Sequence, residues 1–453
     1  MHRHRTCLPK RLITLAWLFT LSALPCTARQ TPGIYVANQG NFSDNNGSIL
    51  FYDPATAQAT EVLADFGTLV QSITLYNGRG YVMSNTSEAV DILDLGTRQR
   101  VGQVPGVASP RYMAVVDASK AYVSNLFANT VTIINLSDNT VAGTISTGTN
   151  PEDIAVVGTR AYVANFGFGG DSTLTVIDTP TDTVLGTIDL GCDGPRHLEV
   201  DAEGEVWAFC NGNTIYNDDF TEIIAQTNGA VVVLDGATGA VVTRFDLAFQ
   251  VGTSALGQDT FYVASQERVF LIHGTDLLVF DTEGNAQEAP ITLAGDEEMG
   301  GIAYDASVQR FYAARITGFT TAGFVSIHNE SGDEVGRFDA GIAPAHLALS
   351  TGETATAVES VAEAMPERFR LLGNYPNPFN PATTVPFELA RSGHVTLTIL
   401  DVLGREVATL VNEALPPGRY ESTWDAGSLA GGVYLSRLAV DGRSTTRRLV
   451  LIK

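Results

Sequence analysis

Arg196 and His197, in the string Gly194-Pro195-Arg196-His197, are the adjacent pair with the most chemistry to offer. A guanidinium grips carboxylates through a fork of donors, and an imidazole exchanges protons near neutral pH. His346, in Ala343-Pro344-Ala345-His346, precedes an apolar run in the same way. General acid/base work needs a second titratable partner within reach. The strand after His197, VWAFCNGN (206–213), brings no carboxylate, and Cys210 and Asn211 occupy that neighbourhood. Hard oxygen ligands cluster at Asp44-Asn45-Asn46, Asp218-Asp219 and Asp296-Glu297-Glu298. Such groups suit Ca²⁺, but none has the ligand spacing that fixes a site. No metal site and no cofactor is therefore implied. Ser-His-Asp order, Cys/His zinc spacing and a phosphate-cradling loop are all missing, and GFGGD (167–171) lies between strands with no helix to open.

These residues hang on a repeat. IYVAN (34–38), GYVMSN (80–85), AYVSN (121–125), AYVAN (161–165), VWAFC (206–210), FYVAS (261–265) and FYAAR (311–315) recur along the chain. Each is a short strand of aromatic and β-branched residues. A second apolar run such as VTIINL (131–136) or LLVFD (277–281) follows, then a third such as TVAGTIST (140–147). A further strand precedes each copy, as in SITLY (72–76), HLEV (197–200), TSAL (253–256) and HLALS (346–350). Four short strands per unit of roughly 45 residues define a β-propeller blade. The first copy lacks its innermost strand and the last is followed by a spare one. His346 to Ser350 should therefore pair beside Ile34 to Asn38 and close a ring of seven blades.

On that scheme the longest loops share one face: 38–47, 165–171, 211–229, QERVFLIHGTD (266–276), 295–300 and 315–323. They carry Phe42, Phe166, Phe168, Tyr216, Phe220, Phe270 and Phe319. Aromatic, Asn/Asp-rich loops on a rigid scaffold suit a binding face. Arg196, His197, His346, Phe168, Phe220 and Arg315 are the candidate ligand-binding residues at its mouth. Asn38, Asn125 and Asn165, each ending a second strand, read as structural, because Asn caps turns through its side chain.

The copies at 121–156 and 161–191 resemble the YVTN (YncE-like) propeller repeats of bacterial and archaeal surface proteins. That resemblance implies the fold and little about function, since such propellers serve as adhesins, ligand-capture proteins and some enzymes. The string 194–197 is similar to the GPRH segment of seven-bladed lactonases, in which Arg and His stand at the channel mouth with a Glu from the next strand; that Glu is missing here.

The two ends concern export. Basic residues from His2 to Arg11, an apolar core from Leu12 to Leu24 and the small-residue end Cys26-Thr27-Ala28 form a secretory signal, residues 1–28. Residues 29–350 are the propeller, 351–366 a linker, and 367–453 a small immunoglobulin-like β-sandwich with crowded turns. This last stretch resembles the type A sorting domain of the type IX secretion system, on Asn374-Tyr375-Pro376-Asn377-Pro378-Phe379, Gly404-Arg405, Gly432-Val433-Tyr434 and the basic-apolar terminus from Arg448 to Lys453. The resemblance implies the type IX machinery as partner, and secretion or display on the outer surface of a Gram-negative bacterium.

Charge narrows the partners further. Net charge is −23, and residues 29–365 carry 42 acids against 13 bases. A surface of that sign repels nucleic acids and anionic headgroups, and no run after the signal is long and apolar enough to span a bilayer. Outside the signal only Cys192 and Cys210 remain. Cys192 lies in the loop entering the fifth unit's inner strand and Cys210 ends the second strand of that unit, which puts both on one face within bridging range, so in an oxidising compartment they should form a disulfide. The sequence thus describes an all-β protein: a seven-bladed propeller and a small sandwich, exported to bind a small molecule, a glycan or a surface through its upper face. A corrinoid-capture propeller and a lactonase-like enzyme are the alternatives.

Overall fold

The computed structural model describes residues 32–351 and 369–452, except 42, 45, 65, 67–68, 86, 218, 220, 253–256, 258, 373, 390–392, 402–404, 417, 428 and 441–442. The expected signal and nearly all of the expected linker lie outside these residues. Strand dominates the described residues, and those of 33–350 form seven antiparallel sheets of four or five strands and one separate two-stranded hairpin.

Six of the seven repeated aromatic–β-branched runs become the second strands of their sheets, the exception being FYVAS (261–265), and their burial explains their composition. Ile34, Tyr35, Val36 and Ala37 are all fully buried, without the in/out alternation of a strand that faces water on one side. The two faces go to different neighbours. Ile34 and Val36 pack with Tyr312, Ala314 and Leu347, whereas Tyr35 and Ala37 pack with Ile73, Val82 and Leu93. Each sheet is thus sandwiched between the one before and the one after. Fourth strands such as Thr183–Asp189 are mostly exposed, because they line the rim.

The first strands pack side by side in order: Val70–Tyr76, Pro110–Asp117, Pro151–Val157, Pro195–Val200, Thr260–Val263, Glu298–Asp305 and Pro344–Ser350, which returns to the first. Pro344–Ser350 also pairs antiparallel with Gly33–Asn38, with Ala37 opposite His346 and Gly33 opposite Ser350. The end of the region thereby completes the sheet begun at its start. Two of the recurrent asparagines pin neighbouring sheets together. Gly148 N–H donates to Asn165 Oδ1 at 3.1 Å and Gly341 N–H donates to Asn38 Oδ1 at 2.9 Å. A Cβ on Gly148 would sit 2.5 Å from the Asn165 side chain, so close approach demands glycine there.

The sixth sheet departs from the sequence expectation. TSAL (253–256) lies outside the described residues, and Thr260–Val263 is the innermost described strand. It pairs with Arg268–His273, which pairs with Asp276–Asp281. The stretch expected as the loop QERVFLIHGTD is therefore largely a strand, and Phe270 is fully buried in the core instead of on the binding face. Four consecutive apolar residues, Val269 to Ile272, have more to gain from a position between two sheets than from a solvent loop. The 211–229 loop likewise contains a hairpin, Thr214–Tyr216 with Ile223–Gln226.

Beyond residue 369 two antiparallel sheets share one core of Phe379, Val385, Phe387, Leu397, Ile399, Trp424, Leu438 and Leu449. The segment 374–379 clips the terminal strand Arg443–Leu451. Val450 N–H donates to Asn377 Oδ1, Phe379 N–H to Val450 O and Ile452 N–H to Phe379 O, each at 2.9 Å.

Candidate functional site

A register shift at the start of several inner strands builds the site. The ladder skips between Val70 and Ser72, Pro110 and Met113, Pro151 and Ile154, and Pro195 and His197. Bulges of this kind re-aim side chains. Here they gather Gln71, Arg111, Tyr112, Glu152, Asp153, Arg196 and His197 into one buried polar network.

Arg111 donates to Glu152 from Nε at 2.8 Å and from Nη2 at 2.6 Å, and a third donor reaches Gln71 Oε1. Gln71 Nε2 donates in turn to the Tyr112 hydroxyl at 3.3 Å. Arg196 Nη1 donates to Asp259 Oδ2 at 3.2 Å and Nη2 to Gly257 O at 3.4 Å. The His197 ring lies between two carboxylates, with Nδ1 3.8 Å from Asp153 and Nε2 3.5 Å from Asp259. Its edge meets the Tyr112 ring at 5.7 Å. His346 stands near Asp153 and His197, its buried Nδ1 without a hydrogen-bond partner among the described residues.

Electrostatics follow from burial first. Burial works against the charge of Arg196, but Asp259 and Glu152 outweigh it and raise its pKa. Burial also disfavours the His197 imidazolium, and the Asp153 and Asp259 carboxylates on either side of the ring more than offset this, so its pKa is raised. His346, buried without such support, is pushed down to about 4. Glu199 is pushed up to about 8, by burial and then by Asp153, and accepts a 2.9 Å hydrogen bond from Thr260 Oγ1. The network therefore holds groups of both signs together with carboxyl and imidazole groups displaced from their ordinary ranges.

Among the residues singled out from sequence, Arg196 and His197 lie inside this network and His346 beside it. Phe168 sits outside, 61 % exposed, with Phe166 at 6.0 Å; the Arg196 guanidinium lies 5.8 Å from the Phe166 ring. Arg315 is fully buried and has its own partners: Ser326 Oγ at 2.9 Å, Glu297 O at 3.0 Å and Ala294 O at 2.9 Å. Phe220 lies outside the described residues, as does Phe42. Cys192 and Cys210 are joined by a disulfide with Cα atoms 6.0 Å apart.

Arg111, Tyr112, Glu152, Asp153 and Asp259 were not anticipated. The available signal for four of them was the pair after each inner-strand proline: Arg-Tyr after Pro110, Glu-Asp after Pro151 and Arg-His after Pro195. Among the described residues no cluster of three or more His, Cys, Asp or Glu side chains is placed to hold a metal ion. None of their helices is long and apolar enough to cross a membrane.

Fold and site together define a propeller-like protein whose inner strands carry a buried charge network. The chain belongs to the family described as "Domain of unknown function (DUF5074)", which it matches over residues 32–334. Residues 374–453 match the secretion system C-terminal sorting domain. That domain is an address for the type IX secretion machinery, which makes this a secreted or cell-surface protein. No curated protein matches the chain. Among solved structures, a putative 6-phosphogluconolactonase from Bacteroides fragilis is similar at 10% identity and TM-score 0.54, over 72% of this chain and 99% of that one. A quinonprotein alcohol dehydrogenase-like protein from Bacteroides thetaiotaomicron is similar at 11% identity and TM-score 0.53, over 71% and 78%. At such identities the likeness establishes a propeller-like fold and nothing of activity.

Proposed function

We propose that residues 29–350 form a seven-bladed propeller of the YVTN kind, which recognises a ligand or a surface through the face where the inner strands begin. The sorting domain, an immunoglobulin-like sandwich over 367–453, delivers it to the outer surface of a Gram-negative bacterium. The observation that carries this reading is the convergence of Arg111, Glu152, Asp153, Arg196, His197 and Asp259 from separate strands. Replacing buried ion pairs with apolar side chains of similar volume often leaves a protein as stable or more so. A network of this size is thus better explained by recognition than by stability.

The test is a thermal-shift screen of the purified protein against corrinoids, neutral glycans, peptides, sugar lactones and Ca²⁺. Arg196→Gln with Asp259→Asn removes an ion pair without stranding one charge. The shift given by the bound class should disappear in that variant and in His346→Gln, while the ligand-free melting midpoint stays close to the parent's. Unchanged shifts in both variants would place recognition elsewhere. Turnover of a sugar lactone would move the protein to the lactonase-like alternative.

A further inference from the structure

Phe168 occupies a conformation that its side chain does not favour. It has φ 52° and ψ 36°, between Gly167 at φ 54° and Gly169 at φ 93°. A bulky residue in the left-handed region is a real outlier, and glycine or asparagine would sit there at lower cost. Burial does not compensate, because the ring is 61 % exposed. Strain of this kind, retained without a packing return, points to use of the side chain itself.

The ring is one of a set. Phe127, also 61 % exposed, lies 6.4 Å from Phe168, and Phe166 continues the series inward to Arg196. The loops are locked to each other: Gly167 N–H donates to Thr149 O, Thr149 N–H to Asp171 Oδ2, and Asn150 Nδ2 to Leu126 O. Gly169 abuts Asn213 at the root of the 214–226 hairpin. That hairpin exposes Ile215, Tyr216, Ile223 and Ile224. An exposed apolar surface of this breadth marks an interaction site.

Charge says what would cover it. Among the described residues the loops 126–129, 147–150, 166–172, 190–194 and 211–229 contain Asp171, Asp193, Asp219 and Glu222 and no Lys, Arg or His, and Arg244, which reaches Leu190 O and Gly191 O from a neighbouring strand, is already paired with Asp246. Aromatic faces within an acidic field attract guanidinium and ammonium groups, while the aliphatic hairpin takes apolar side chains. We propose that this aromatic, acidic face docks a basic polypeptide segment, in which Arg or Lys alternates with apolar residues. The inference rests on the reading that the upper face is the recognition surface, and it names the partner's chemistry.

The test uses the purified full-length protein and fluorescein-labelled octapeptides alternating Leu with Arg, with Ser or with Glu, read by polarisation. The Arg peptide should bind, the Ser and Glu peptides should not, and affinity should fall as NaCl rises from about 50 to about 500 mM. Phe168→Gly and Phe127→Ala should each weaken binding about tenfold. Phe168→Gly should leave the melting midpoint unchanged or higher, which separates loss of contact from loss of fold. Equal binding of the Ser peptide, preference for a neutral xylan or chitin oligosaccharide, or full affinity in Phe168→Gly would overturn the proposal. Failure to bind any peptide would do the same. If only the Arg196→Gln/Asp259→Asn variant loses binding, recognition at the mouth stands and the aromatic face is refuted; if neither variant does, both readings fall.

Discussion

Replacing Cys192 and Cys210 together by alanine should cost the protein about 3 kcal/mol. The bridge links positions 18 residues apart, and closing a loop of that length in the unfolded chain is worth about 3 kcal/mol at 25 °C in the chain-entropy model. With an unfolding entropy of about 2.1 cal/mol/K per residue over roughly 320 residues, 3 kcal/mol lowers the melting midpoint by about 4–5 °C. The enclosed segment includes Arg196 and His197, and Pro195 pairs directly with Cys210, so the variant should also loosen the polar network. Urea unfolding of parent and double variant at neutral pH measures the loss through the shift in midpoint. A loss below about 1 kcal/mol would refute the entropic reasoning. So would two alkylatable thiols in the denatured, non-reduced parent.

Asn165→Ala removes the acceptor for Gly148 N–H and the donor to Thr173 and Thr175; a loss of about 1–3 kcal/mol is expected in the same urea assay, and no loss would show that the link between sheets is dispensable. Glu199 is held with a pKa raised to about 8 from 4.5. The folded state therefore keeps a proton that the unfolded state gives up, and stability falls as pH rises across that window, by up to about 1.4 kcal/mol per pH unit. Glu199→Gln should flatten that slope, and parallel slopes for parent and variant in urea midpoints at several pH values would contradict the assignment. His346 has the opposite sign. With its pKa lowered to about 4 from 6.5, its contribution is complete above 6.5 and is lost as pH falls towards 4, so His346→Gln should hold its midpoint better in acid. Deleting 367–453 should leave the remainder folded in the periplasm of a type IX-competent host; equal amounts in the medium by immunoblot would show that another segment is the address.

Strand order outside the sixth sheet was legible in the sequence because it rests on local pattern. Runs such as Ile34 to Ala37 and Tyr162 to Ala164 are apolar at every position, and only a strand covered on both faces rewards that composition. The return of Pro344–Ser350 to Gly33–Asn38 followed from counting one strand too few at the start and one too many at the end. The disulfide followed from a loop that enters the inner strand and a strand end beside it on one face. The convergence of Arg111, Glu152, Asp153 and Asp259 on Arg196 and His197 could not be read the same way. A charged residue after a proline looks identical in sequence whether it points to water or into the ring. Only the bulges and the curvature of the ring bring groups 41 to 63 residues apart within hydrogen-bond distance. Val269 to Ile272 and Phe127 show the same limit from the apolar side. The first proved to be a buried strand and the second an exposed ring, because neighbouring sheets, and no local preference, decide which apolar side chains are covered.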